Sequence, residues 1–399
     1  MLKNTLSFIK TTPAFAVGFL FAAGSLMLGI WVAAIPAIKD RLQYSDADLG
    51  LSLLLAPLGA FTGVYLSTRL LRKIAVGKWL ITGSILFCFI VIMEVTAQRR
   101  IIFWSAMYLH GLIGFLNGVS VNAVVDWLEK KYNRRFMSSS HALYSIGGGI
   151  SAGLAALFFT LNIGSTAQVI IMAVFVILVI IFFHKHLLVH KSIIHSGSSL
   201  RFPSLSILSI SFICLVLFMA EGCIADWSAI YLQTSLASPK EMISIGFAGF
   251  SVAMTIGRLN GDELIPKFGS KRIVIAGSLL AAAGFLLVSL SVNAEMAIAG
   301  FILSGFGCSC IVPVLFSASA NINGVSPVHG FAMVTTGGLI GFLAGPSVIG
   351  FISEAINLST GFAFVFLMLL LAALTAWQSK YLQNKNERTT DVGYNEQFL

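Results

Sequence analysis

Twelve runs of apolar residues, separated by short polar segments, make up most of the chain: 14–38, 49–71, 79–97, 101–128, 138–161, 166–188, 204–232, 242–264, 273–292, 297–320, 329–353 and 359–378. The runs are continuous rather than alternating, which predicts helices and not barrel strands. At 1.5 Å per residue each is long enough to cross a hydrocarbon core of about 30 Å. The pattern therefore predicts an all-α membrane protein of twelve transmembrane helices. The first run is longer than the apolar core of a secretion signal and reads as a span, with Pro36 tolerated at its far end.

The longest interior polar stretch, 184–203, falls after the sixth run and divides the spans into two sets of six. The expected organisation is an N-terminal bundle over 1–188, a cytoplasmic linker over 189–203, a C-terminal bundle over 204–380 and a cytoplasmic tail over 381–399. His184, His186, His190 and His195 lie in or beside the linker without zinc-ligand spacing, so a solvated basic segment is expected there. The halves also repeat. Gly63 and Gly257 each precede a short basic loop at an offset of 194, and Leu109-His110-Gly111 matches Leu303-Ser304-Gly305 at the same offset. Ala23-Gly24 corresponds to Glu221-Gly222 at an offset of 198. Two repeated halves with a site near the bilayer midplane between them form a transporter architecture.

Composition turns this pattern into a statement about solvent. Of 399 residues, 57% are hydrophobic and only 10% charged, and the mean hydropathy is +0.92. A soluble domain is about 25% charged, so the bilayer must be the solvent for most of this chain. The net charge of +9 sits in the short loops, where orientation requires it, and does not point to nucleic acid. With the N-terminus inside, 20 basic residues lie on the inner side and five on the outer: Lys39, Arg41, Arg99, Arg100 and Lys240. That asymmetry predicts cytoplasmic termini in a cell inner membrane. The five cysteines lie inside apolar runs and read as packing residues, with no disulfide framework.

Ionisable side chains inside a span are costly and mark function. Glu221 lies about 17 residues, or ~26 Å, into the seventh run, slightly outward of the midplane. A carboxylate there is a candidate to take up and release a proton. Asp226 is five residues on, about 140° around the helix, and so does not share a face well with Glu221. With Trp227 it is placed near the outer interface, as a vestibule or capping group. His110, in the fourth run, lies at a similar depth to Glu221, and Asn117 falls on nearly its face. His110 and Glu221 facing one another would suit proton coupling and a polar solute. Asn122 and Asp126, at the inner end of the fourth run, and His141 and Tyr144, at that of the fifth, read as inner-gate or vestibule groups. Arg258 and Asp262 are an i, i+4 pair at the inner end of the eighth run. Glu94 and Glu354 sit at outer helix ends and are expected to be solvated. No phosphate loop, catalytic triad or metal cluster is visible, so neither an ATP-driven pump, an enzyme nor a cofactor protein is expected.

The chain resembles the major facilitator superfamily over essentially its whole length. The resemblance is carried by the six-plus-six layout and by the glycine-rich basic loop Gly257-Arg258-Leu259-Asn260-Gly261-Asp262 through Phe268-Gly269-Ser270-Lys271-Arg272. The matching segment Gly63 to Lys78 is degraded. Where the motif usually has an acid before its basic cluster, this chain has Arg72 in the first copy and Pro266 in the second. The stretch Ala220 to Tyr231, with Asn122 and His141 to Gly148, is similar to a bacterial inner-membrane branch distantly related to the fucose-permease-like group. The fifth run lacks the Gly-x-x-x-Gly-Pro element usual in proton-driven drug antiporters, and Gly341 to Pro346 sits in the eleventh run instead.

The resemblance implies that the fourth and seventh helices line a central cavity and that the protein is a secondary transporter of a small solute, proton-coupled by symport and acting as a monomer. Glu221 and Asp226 are then the proton-coupling candidates. His110, Asn117, Asn122, Glu221 and Trp227 are the substrate-binding candidates. Gly63, Arg258, Asp262, Lys271, Arg272, His141 and Tyr144 would serve gating. The alternatives are efflux of an amphipathic compound and a receptor or scaffold that does not transport.

Overall fold

The computed structural model describes residues 8–70, 74–134, 136–188, 207–319, 322 and 327–382. Twelve helices are long and apolar enough to cross a membrane. They are α1 (Thr12–Leu42), α2 (Asp46–Ser67), α3 (Val76–Thr96), α4 (Arg100–Tyr132), α5 (Met137–Thr160), α6 (Ser165–Phe182), α7 (Leu208–Ser235), α8 (Ile245–Phe268), α9 (Ser270–Ser289), α10 (Ala294–Ser319), α11 (Pro327–Ala355) and α12 (Leu358–Gln378). No strand occurs among the described residues. The expected linker falls outside the described residues, as does nearly all of the tail. Local chemistry sets the helix ends. Ser45, Asn293 and Asn357 each accept a backbone N–H of the first turn, 2.9–3.1 Å away. Gln43 (φ 52°) and Asn133 (φ 50°) close α1 and α4 in the left-handed conformation.

The packing repeats from one half to the other. α1 packs on α5 as α7 packs on α11; α2 on α4 as α8 on α10; α3 on α6 as α9 on α12. The halves meet through the related pairs α2–α11 and α8–α5, and through α1 against α7. The fold is thus two pseudo-symmetric six-helix bundles, the major-facilitator fold.

The glycines repeated at an offset of 194 mark a shared helix crossing. A Cβ on Gly111 of α4 would strike the carbonyl oxygen of Ala56 on α2, and one on Gly305 of α10 would strike that of Phe250 on α8. Phe250 stands 194 residues after Ala56, as Gly305 does after Gly111. Backbones in van der Waals contact are how membrane helices associate without a hydrophobic driving force between them. Gly63 is buried in the α2–α4 crossing against Phe115 and Leu112, so its place is in packing.

Two of the basic residues assigned to the outer side, Arg41 and Arg100, are bound to helix ends. Arg41 donates to the carbonyls of Val95 and Ala97 at the end of α3, and Arg100 to those of Leu42 (3.3 Å) and Gln43 (2.6 Å) at the end of α1. A cation there satisfies orphan carbonyls and meets the negative end of the dipole. This end, called outer below on the charge rule, is also where the halves are clasped. The N–H groups of Asp46 and Ala47, at the start of α2, donate to Glu354 Oε2 of α11 at 3.0 and 3.4 Å. Ser353 donates to Asp46, which also pairs with Lys39 at 2.6 Å. Ser347 donates to the Gly50 carbonyl at 2.9 Å, and Gln233 to Asp40 at 3.3 Å. Glu354 is exposed as expected, yet it is not merely solvated: it caps a helix of the other half.

Candidate functional site

Two connected chambers lie in the middle of the molecule. One, of about 290 Å³, sits between the halves and is lined by Trp31, His110, Tyr144, Ser145, Glu221, Asp226 and Arg258 with several phenylalanines. The other, of about 390 Å³, is a lobe cut into the N-terminal bundle between α1, α2, α3 and α4. Leu28, Ala56, Pro57, His110, Tyr144 and Phe342 line both, so the two communicate. The outer end is shut by the clasp. Tyr144, which lines both chambers, is 40% exposed, and His141, one turn nearer the inner end of α5, is exposed too.

Glu221 reaches the inter-half chamber from α7. Its Oε1 lies 3.9 Å from Arg258 Nη2, too long for the 2.7–2.9 Å of a charged hydrogen bond. That oxygen is buried and has no hydrogen-bond partner among the described residues. Arg258 instead donates to Ser145 of the other half at 3.1 Å. Arg258, read from the sequence as a gating group, is thus a wall of the chamber and a bridge between the halves. The side chain of Asp262 lies outside those described, so the i, i+4 pair goes undescribed. Lys271 and Arg272, at the start of α9, are not among the residues lining either chamber.

His110 does not face Glu221 as a partner. Its Nδ1 lies 3.0 and 3.2 Å from the two carboxylate oxygens of Glu94 on the neighbouring helix of its own half. Its ring packs edge-on against Phe87 with centroids 4.8 Å apart. Across the chamber the acid in electrostatic range of His110 is Asp226. Glu94 itself is 0% exposed, which overturns the expectation that it is solvated. The reason is geometric: α3 ends against α4, so a residue near a helix end is covered by its neighbour. The available signal was the charge itself. Ile90 to Val95 is apolar except for Glu94, and an acid in such a run needs a partner.

Asp226 corrects a second expectation. Glu221 and Asp226 line the same chamber although they stand ~140° apart on the helix. Gly222 and Ala225 line it as well, so the chamber wraps around a protruding arc of α7. Trp227 is not in the wall. It is 0% exposed and packs against Gly350 of α11, so it is a packing residue of the α7–α11 contact. Asn117 lines the lobe and donates to the Gly83 carbonyl at 3.0 Å, which ties α4 to α3. Asn122 lines neither chamber. It donates to Gly118 O at 2.8 Å and lies 3.2 Å from His141 Nε2, joining α4 to α5 below the site. The His141 ring packs against Phe21 at a tilt, with centroids 4.6 Å apart. The five cysteines are all buried free thiols.

Such an arrangement can hold a small polar group between acids and a cation, with an apolar remainder in the lobe. Comparison with known proteins places the fold in a family. The Major Facilitator Superfamily model matches residues 210–394. An uncharacterised MFS-type transporter of Yersinia pestis is 34% identical over 361 residues, covering 89% of this chain and 92% of that protein. The nucleoside transporter NupG has the same fold with a TM-score of 0.71 at 10% identity, over 91% of this chain and 98% of its own. The Escherichia coli fucose:proton symporter FucP matches with a TM-score of 0.57 at 16% identity, again over 91% and 98%. One-third identity along most of both chains, on the same twelve-helix fold, establishes that this chain belongs to the major facilitator superfamily of membrane transporters.

Proposed function

We propose that the protein is a secondary active transporter, moving a small solute across a bacterial inner membrane by alternating access, with protons as the coupling ion. The observation that carries this reading is Glu221, a chamber-wall carboxylate with a buried oxygen that has no hydrogen-bond partner among the described residues. Leaving such an oxygen unmatched costs about 1–3 kcal/mol, and more when it is charged. A proton or a bound solute removes that cost, and closing the chamber to water raises it. The charge on Glu221 is thereby tied to which way the chamber faces. Glu221 is the coupling carboxylate in this reading, with Asp226 as a second acid. His110, positioned by Glu94, and Asn117 face the solute, and Arg258 with Ser145 links the halves. His141, Tyr144 and the basic start of α9 serve the inner gate. The linker over 189–203 joins the two moving bundles, and one chain suffices for transport. The same fold houses proton symport in the fucose:proton symporter, so the architecture accommodates it.

The test is flux in proteoliposomes. Solutes found by their effect on the melting temperature are offered to purified protein under an inward pH gradient, with a pH dye inside. Accumulation above equilibrium, internal acidification on solute addition, and loss of both with a protonophore are expected. Accumulation that survives the protonophore and follows sodium removes the proton from the reading.

Orientation has its own check. With 20 basic residues assigned inside and five outside, both termini should be cytoplasmic. A green fluorescent protein fused after Leu399 should fluoresce, and alkaline phosphatase at the same point should be inactive. An active phosphatase inverts the inner and outer ends used above.

A further inference from the structure

We propose that the substrate carries a protonated amine beside a compact apolar body, the amine lodging at Asp226 and the body filling the lobe in the N-terminal bundle. The proposal rests on reading the chamber as the transport site.

The first argument is charge. Around the inter-half chamber stand three carboxylates, Glu221, Asp226 and Glu94, the last behind His110. Against them are one guanidinium, Arg258, and one imidazole, His110. Arg258 lies beside Glu221 and donates to Ser145. His110 is held by Glu94 at 3.0 Å. Asp226 makes no hydrogen bond or ion pair among the described residues, and the one cation in its range, His110, already has an acid. An ionised acid in a span is costly unless it is hydrated or paired, and closing the chamber to water leaves Asp226 needing a partner. An anionic solute would add like charge to this wall, whereas a cationic one supplies the missing partner. Trp31, Phe247, Phe250 and Phe342 line the same chamber, so aromatic side chains surround the place a cation would take.

The second argument is shape. The lobe is open because glycines leave it open. A Cβ added at Gly24 or Gly118 would meet nothing within 4 Å, and one at Gly114 would touch only the Phe87 ring, at 3.3 Å. Membrane-helix glycines normally buy close contact, as Gly111 does against Ala56. Gly24 and Gly118 face space in an interior that is otherwise close-packed, and Gly114 faces only the Phe87 ring. A lobe of about 390 Å³ walled by Leu20, Phe21, Phe87 and Phe115 offers water few partners and fits an apolar ring. His110 lines both chambers and lies in electrostatic range of Asp226, so the acid stands where head and body would join.

The test uses the full-length purified protein in detergent, followed by melting temperature, with three matched probes: 2-phenylethylamine, 2-phenylethanol and 3-phenylpropanoate. The amine should raise the melting temperature in a saturable way, the alcohol less and the acid not at all. Asp226→Asn should weaken the amine by about tenfold or more, as expected for stranding one member of a buried charge pair. Gly118→Leu and, independently, Gly24→Val should leave the melting temperature of the free protein near its original value and abolish the shift. An alcohol or acid response as strong as that of the amine, no response to any probe, or a full amine response in Asp226→Asn each overturns the proposal. The coupling reading fails separately. Uphill transport of a neutral or anionic solute that needs Glu221 sinks the amine and spares the coupling; amine binding with proton-independent accumulation does the reverse.

Discussion

Glu221→Gln is expected to abolish proton-driven accumulation while leaving solute exchange across the membrane nearly intact. Glutamine keeps the size of the side chain and its acceptor oxygen, so the chamber wall keeps its shape. What it loses is the ability to change charge as the chamber turns. In the native protein Arg258 stands 3.9 Å from Glu221 without a hydrogen bond, and Ser145 holds the guanidinium. Arg258 is 30% exposed, so water and Ser145 can stabilise it when its acid is gone, and the variant should fold. Counterflow, with solute on both sides and no gradient, should then run at a near-native rate, while accumulation under a pH gradient falls to equilibrium. His110→Ala should behave differently. It unpairs Glu94, a carboxylate that is 0% exposed, and removes the imidazole that Asp226 senses. Its effect should be a displaced pH profile of transport rather than the same total loss. Normal uphill transport by Glu221→Gln would pass the coupling role to Asp226, which lines the same chamber without a hydrogen bond of its own.

The spans and their grouping were legible because they follow from composition over windows of twenty residues. A bilayer tolerates little else than continuous apolar helices, so hydropathy alone places the twelve runs. The offset of 194 was legible too, and its cause is physical: Gly111 and Gly305 are the points where one backbone rides on another. The site was legible in part. Glu221 and His110, given a similar depth by residue counts, line one chamber, and Asp226, expected near the outer interface, lines it too. Which faced which depends on how far each helix protrudes and turns, and sequence spacing does not carry that. The pairing His110–Glu221 was therefore wrong, and the separation of Asp226 from Glu221 by ~140° did not keep them apart. Trp227 was misplaced for another reason. Tryptophan is common at membrane interfaces, but here α11 brings Gly350 against it and leaves room for a large ring to be buried. Glu94 was missed because a helix end in sequence was equated with water. Its cover comes from α4, a neighbour across the short turn at 97–99.

Removing the outer clasp should produce the largest conformational effect. The clasp joins α2 of one half to α11 of the other. Glu354 takes the N–H groups of Asp46 and Ala47, Asp46 binds Ser353, and Gly50 approaches Pro346 and Gly350 so closely that no Cβ fits between them. A carboxylate on a helix N-terminus contributes about 1 kcal/mol, and the Ser353–Asp46 hydrogen bond between the halves about 1 kcal/mol more. Glu354→Ala with Asp46→Ala therefore withdraws about 2 kcal/mol from the state in which this end is closed. Conformers of a switching protein differ by only a few kcal/mol, so ~30-fold in the equilibrium between them is at stake. The five native cysteines are buried, which gives a quiet background for labelling. Ser347→Cys, 7% exposed and facing Gly50, reports on the closed interface. A membrane-impermeant maleimide added outside should label it slowly in the otherwise native protein and at least several-fold faster when Glu354 and Asp46 are both alanine. Buried glycine contacts remain in the variant, so the gain should stop short of the rate for a freely exposed thiol. Equal rates in the two proteins would mean that the close backbone approach at Gly50, and not the charged clasp, holds the outer end shut. Gly50→Ala, which forces that approach apart, should then give the faster labelling instead.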